Sequence, residues 1–283
     1  MIFRTAPVKK YLKHQHQKQI WRILISETDK LLIEERNMET KEVFFSCYDL
    51  TTKENIFSEL QFEQKSWIGI EAMENDSIIF HFYRKPDMPQ HKGFFVFSMK
   101  EKKILWQNDT YAYFFSDEKR IVAFLQQFEG KLFTQFDLLT GEVTENYGDD
   151  FAHVNFLKQE TDAKKSYGSY AFPEVFNPLD DDPVFDTVRT VVSKYNISGQ
   201  VELIEKAGLL YFSFHEKRDD IYTQHFYICT SRNGSVLCSD ILNKSIPKYA
   251  VDSFFLYKSF LLLMKEKQSL EIYSVHVPSG KMA

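Results

Sequence analysis

The chain has 283 residues, with 35 basic and 40 acidic side chains, a formal net charge of −5, and an aromatic load of 27 Phe and 15 Tyr. That balance, without a concentrated basic stripe, argues against phosphate-dominated nucleic-acid binding. The longest apolar stretch, Phe254 to Met264, is broken by Lys258 and Ser259 and falls short of the roughly 20 residues that span a bilayer.

From the N-terminus, Met1 through Lys13 carries positive charge but no apolar core of secretory length, which leads us to expect an unexported, cytoplasmic protein. Residues 1–19 read as an N-terminal arm. Met1 to Val8 could pair beside the C-terminal strands and remove an exposed sheet edge. Lys9 to Gln19 is a solvated lead-in to a first strand at Ile20, and His14-x-His16 within it is assigned no metal.

A short phrase then recurs: an apolar run, a polar turn and an apolar restart. It reads Phe44-Phe45-Ser46-Cys47-Tyr48-Asp49-Leu50-Thr51-Thr52-Lys53, and returns around Lys102, Gly141, Gly234 and Gly280. The intervals between these turn positions are 49, 39, 93 and 46 residues, and Trp21 and Trp67 repeat the period independently, 46 apart. Upstream of each phrase lie two more apolar stretches, such as Trp21 to Ser26 with Lys30 to Arg36, and Trp67 to Glu71 with Ile78 to Tyr83. About four short strands per unit, at a period of 40 to 50 residues, is the pattern of stacked propeller blades. β-branched and aromatic residues favour such sheets.

Between Asp149 and Gly199 the rhythm fails. Phe151 to Leu157 and Tyr167 to Phe172 read as strands, Pro173, Pro178 and Pro183 break any central strand, and Asp186 to Ser193 resumes apolar alternation. The segment 149–199 is therefore expected to be an irregular blade with a long loop, Pro173 to Pro183. Asp180-Asp181-Asp182 lacks the glycine turn and distal glutamate of a calcium loop, so no metal is assigned there. Further on, a two-residue turn at Asn233-Gly234 would set Cys229 opposite Cys238, read as two buried thiols. Three cysteines without a Cys-x-x-Cys pair suit a reducing compartment.

No nucleotide loop, zinc helix motif or nucleophile elbow occurs. Propeller enzymes assemble acids and histidines around the channel instead. The candidates are Glu71, Glu202 and Asp252 in first strands, with His81, His153 and His215 in or near others.

The Trp21-initiated strand, Ile33-Glu34-x-Arg36, Trp67, Pro89-x-x-Lys92-Gly93, Leu105-Trp106 and Asp137-Leu138-x-Thr140-Gly141 together resemble an uncharacterised bacterial family of propeller-like proteins, over much of residues 20–145. The resemblance carries no activity. It singles out Glu34, Arg36, Trp67, Pro89, Lys92 and Gly93 as ligand-binding positions, with Arg36 and Lys92 suited to a small anion. Asp-Leu-x-Thr-Gly also occurs in quinone-dependent propellers, but the later turns lack their regular Trp-docking sequence, which argues against a quinone.

The expectation is an all-β chain: one β-propeller over residues 1–283, with six blades if the 93-residue interval hides one and otherwise five with an insertion. Its expected role is a non-catalytic cytoplasmic binding scaffold for a protein or small ligand, monomeric, with no cofactor, metal, nucleic-acid or membrane partner. The alternative is a metal-dependent hydrolase or lactonase centred on the channel.

Overall fold

The middle strands of this chain are continuous apolar runs because both of their faces are covered. In the computed structural model, which describes residues 8–85, 88–165, 167–176 and 185–275, Leu31-Leu32-Ile33, Ile78-Ile79-Phe80, Phe94 to Phe97 and Ile121-Val122-Ala123 are all buried. Met1 to Pro7, the Asp180 to Asp182 cluster with the rest of 177–184, and the Gly280 turn lie outside the described residues, as do the side chains of 84, 85, 88 and 89.

The chain divides into two compact units, residues 17–166 and residues 1–16 with 167–283. The second unit begins with β1 (Val8–Gln15). The first holds three four-stranded antiparallel meanders: β2 (Gln19–Ile25), β3 (Lys30–Arg36), β4 (Val43–Asp49) and β5 (Asn55–Leu60); β6 (Ile68–Glu74), β7 (Ser77–Lys85), β8 (Met88–Ser98) and β9 (Lys103–Asn108); β10 (Ala112–Ser116), β11 (Arg120–Gln126), β12 (Lys131–Asp137) and β13 (Val143–Gly148). Each sheet packs on the next through alternate side chains. Phe45, Ile70, Phe80 and Phe95 form one apolar layer, and Ile79, Phe94, Val96, Ile121 and Phe136 form another. The Phe80 and Phe95 rings stack at 5.0 Å.

The recurring phrase has a common geometry. The fifth residue of each turn donates its N–H to the carbonyl of the first: Lys53 to Asp49 at 2.8 Å, Lys102 to Ser98 at 2.8 Å, Gly141 to Asp137 at 3.0 Å and Gly234 to Thr230 at 3.1 Å. That fifth residue is left-handed every time, with φ of +66°, +54°, +73° and +68° respectively. Asp49 and Asp137 also accept from backbone N–H groups two and three residues on, closing the turn with a side chain. At Gly141 the glycine is needed twice, because a Cβ there would lie 2.5 Å from Trp106 Cδ2. The Trp106 indole N–H donates to Leu138 O at 2.9 Å, tying β9 to the next sheet.

A second repeat sits in the first strands. Register shifts at Trp21 in β2, Glu71 in β6 and Phe114 in β10 each insert one residue against the second strand. Such bulges re-aim the inserted side chain.

Beyond β13 the chain forms α1 (Phe151–Lys164), β14 (Tyr170–Ala171), β15 (Glu174–Phe176) and α2 (Asp186–Val192). Two expected strands are helices. Asp150 caps α1 by accepting the His153 N–H at 3.0 Å, and in α2 the buried Val188, Val191 and Val192 fall at helical spacing, i, i+3 and i+4. The second unit has two sheets, β15 followed by β16 (Ile197–Lys206), β17 (Leu209–Arg218), β18 (Ile221–Thr230) and β19 (Val236–Ile246); and β14 followed by β20 (Phe254–Tyr257), β21 (Phe260–Lys265), β22 (Ser269–Val275) and then β1. β1 pairs antiparallel with β22 from Val8↔Val275 to Gln15↔Ser269, so the stretch read as a solvated lead-in is an edge strand. Its lysines at 9, 10 and 13 keep that edge charged.

The architecture is an all-β propeller with five blade sheets among the described residues. Among the described residues, the 93-residue interval holds two helices and a short extra strand for each of two sheets. The cysteine register is corrected as well: Cys229 opposes Val236, Cys238 opposes Ile228, and all three thiols are free. The turn is the longer Thr230-to-Gly234 form, not a two-residue hairpin, and a shift between Ile228 and Cys229 moves the pair apart.

Candidate functional site

Strand alternation in β18 sends Phe226 and Ile228 into the core and His225 and Tyr227 to the opposite face. There, in the unit that holds β16–β22, they line a cleft of about 750 Å³. Tyr195 completes this wall: its ring lies 4.6 Å from His225, and its hydroxyl meets that of Tyr227 at 2.5 Å. Burial, and then the shared hydroxyl contact, push Tyr227 up to about 12. His225 Nε2 is fixed by Glu216 at 3.1 Å.

The facing wall is charged but internally compensated. Glu271, 8% exposed, receives Lys10 at 3.0 Å, Lys265 at 3.2 Å and Lys13 at 3.7 Å, and accepts the Tyr273 hydroxyl at 2.6 Å. Burial alone would raise this carboxyl. The hydroxyl and lysines outweigh it and hold Glu271 at about 2. Lys265 also pairs with Asp240, and although burial lowers its pKa these carboxylates raise it above the ordinary value. The cleft thus offers two aromatic hydroxyls opposite ammonium and carboxylate groups already held in place.

The residues named from the sequence fall in two places. Glu34 is buried and accepts Arg36 Nε at 2.8 Å, with the guanidinium 4.4 Å over the Trp21 ring. Trp67, 40% exposed with φ of +60°, presents its ring edge-on to Tyr83 at 6.2 Å. Lys92 is exposed, and Gly93 is buried with its N–H donating to Tyr111 O at 2.8 Å. Pro89 lies in β8.

Of the channel candidates, the structure brings Glu71 and His81 together and adds His91 from β8. Glu71 Oε1 lies 2.7 Å from His91 Nδ1 and 3.1 Å from His81 Nδ1. Burial would raise the Glu71 carboxyl, but the two imidazoles leave it below its usual value. Glu202 instead accepts the Ser213 hydroxyl at 3.0 Å, and burial raises its pKa. His215 Nε2 accepts the Ala250 N–H at 3.1 Å, in keeping with a neutral imidazole whose pKa burial lowers. His153, expected near a strand, rides on α1 against Tyr147.

Residues 25–106 match a family described as Domain of unknown function (DUF4905). The DUF4905 match takes in all six ligand-binding positions named from the sequence, together with Glu71, His81 and His91. Comparison with curated proteins returned no match. Among solved structures, a eukaryotic initiation factor is similar at 8% identity and a TM-score of 0.34, over 91% of this chain and 52% of its own, so the chain spans about half its length. The β-propeller domain of the Trilobed protease from Pyrococcus furiosus is similar at 12% identity and 0.33, over 93% and 82%. An uncharacterized protein from Listeria monocytogenes is similar at 8% and 0.34, over 94% and 97%. At scores this low none of them bears on activity.

Sequence reasoning passed over His91, Tyr195, His225 and Tyr227. The signal for the last two was present, as alternate polar rings flanking the apolar Phe226 and Ile228. His91 had none, since the shifts at His81/Tyr83 and Tyr83/Lys85 decide which β8 residue reaches β6.

Proposed function

We propose that this chain is a non-catalytic binding scaffold that holds a neutral, hydroxyl-rich small molecule of the saccharide class in the Tyr195/Tyr227 cleft. The observation that carries this reading is the pairing of an aromatic wall with a charged wall in which Lys10, Lys13 and Lys265 are already ion-paired with Glu271 and Asp240. Aromatic faces supply apolar contact for C–H surfaces, and prearranged donors and acceptors supply hydrogen bonds without demanding net charge from the ligand. Free thiols at Cys47, Cys229 and Cys238 support a cytoplasmic setting.

The test is titration calorimetry of the full chain with a panel of neutral mono- and oligosaccharides, alongside nucleotides and dicarboxylates. Saccharide binding that Tyr227→Ala weakens is the expected result. Binding confined to the nucleotides or dicarboxylates refutes the assignment. The exposed Trp67 and Lys92 support a second reading, in which ligand contacts among the positions named from the sequence lie outside the cleft. Trp67→Ala and Lys92→Ala variants distinguish it, because neither touches the cleft.

A further inference from the structure

We propose that Glu71, His81 and His91 form a binding site for a divalent transition-metal ion of the zinc type, with both imidazoles ligating through Nδ1. The site belongs to the β6–β9 sheet and lies outside the cleft described above.

Three backbone features build it. The bulge in β6 redirects Glu71 out of the regular alternation. Gly69, paired with His81 across β6 and β7, leaves room for the imidazole, because a Cβ there would lie 2.8 Å from His81 Cε1 and 2.9 Å from Nε2. The register shift between His81 and Tyr83 then brings His91 beside His81, with the rings 3.6 Å apart and 9° from parallel. Tyr83 sits edge-on to both rings, at 4.8 and 5.1 Å, and fixes their orientation.

Hydrogen bonding alone does not satisfy this arrangement. His91 Nδ1 shares a hydrogen bond with Glu71. His81 is 3% exposed, and neither of its ring nitrogens has a hydrogen-bond partner: Nδ1 is 3.1 Å from Glu71 Oε1 but at an angle that makes no hydrogen bond. Buried polar atoms in native proteins are nearly always paired. A cation between the two Nδ1 lone pairs and the carboxylate gives this nitrogen its missing partner.

The donor set selects the ion. Two imidazole nitrogens and one carboxylate oxygen suit zinc and its transition-metal neighbours, whereas calcium and magnesium need all-oxygen shells. The ligand atoms lie within 4.8 Å of one another. Tetrahedral zinc places its ligands roughly 3.3 Å apart, so the carboxylate retreats by only a few tenths of an ångström. Three protein ligands leave a fourth position, and the His91 side chain, 37% exposed, opens that side to solvent. Such a site exchanges its ion and can take a water or an external ligand.

The test uses the chelator-treated full chain, titrated with Zn²⁺ by calorimetry and with Co²⁺ by visible absorption. One Zn²⁺ per chain and an intense low-symmetry Co²⁺ spectrum are expected. His91→Ala and Glu71→Gln should each weaken Zn²⁺ binding roughly tenfold or more, while a change at the exposed Glu129, between β11 and β12 of another sheet, Glu129→Gln, leaves it unchanged. Thermal melts of the variants show that they are folded; His91 is the safer probe because it is partly exposed. Absence of a bound ion in the parent chain overturns the proposal, and so does full affinity in a folded Glu71→Gln/His91→Ala double variant.

Discussion

Glu271→Gln removes the carboxylate on which three lysines and a tyrosine converge. A carboxyl held at about 2 rather than at its ordinary 4.5 is worth about 3 kcal/mol at 1.36 kcal/mol per unit. Lys10 and Lys13 are 49% and 41% exposed, and solvent screening of those partners brings the contribution to about 1–2 kcal/mol. The folded-state pKa is depressed, so the stabilisation is fully present above pH 4.5 and is lost as pH falls through 2. Urea unfolding of parent and variant at pH 7 and pH 3, at low salt, measures it. The variant should be less stable at pH 7, and by pH 3 the difference should shrink to under about half, because the unfolded parent is by then protonated at this site. Equal differences at the two pH values, or none at pH 7, would refute the assignment of this energy to the Glu271 carboxylate.

Three further outcomes can be measured. Gly141→Ala puts a side chain on a left-handed residue and against Trp106; a loss of about 2–3 kcal/mol is expected, with altered tryptophan emission as the ring is displaced. Phe80→Ala empties a fully buried position between two sheets and should cost about 3–5 kcal/mol in equilibrium unfolding. Thiol titration in denaturant without reductant should count three free thiols, since the register separates Cys229 from Cys238; a count of one would contradict that register.

The blades were legible in the sequence because their turns demand particular backbones. Asp49 and Asp137 cap the loop, and a residue held at positive φ follows four places on, a glycine at 141 and 234, so the same phrase recurs wherever the third strand meets the fourth. The helices were not legible in the same way. Val188, Val191 and Val192 pass for part of an alternating strand until their i, i+3, i+4 spacing is weighed against it, and Asp150 looks like one more turn residue until it caps α1. Register was the other blind spot. A one-residue bulge decides whether Glu71 faces His81, and a longer turn together with the shift between Ile228 and Cys229 separates Cys229 from Cys238. The Glu34–Arg36 pair was readable because residues two apart share a strand face, whereas Glu71, His81 and His91 lie on three strands and meet only through accumulated shifts.

The pairing of β1 with β22 also sets a timetable for synthesis. Lys10 and Glu271 are 261 residues apart in the chain. At 5–20 residues per second, the ribosome needs roughly 13–50 seconds to deliver the partner after β1 has emerged. Through that interval the nascent chain carries an unpaired strand that has nowhere native to go, and the sheet containing β20–β22 can be completed only after translation has passed its last strand. Charge at lysines 9, 10 and 13 disfavours pairing of that premature edge with a neighbouring nascent chain, and Lys10 and Lys13 become salt-bridge donors once Glu271 arrives.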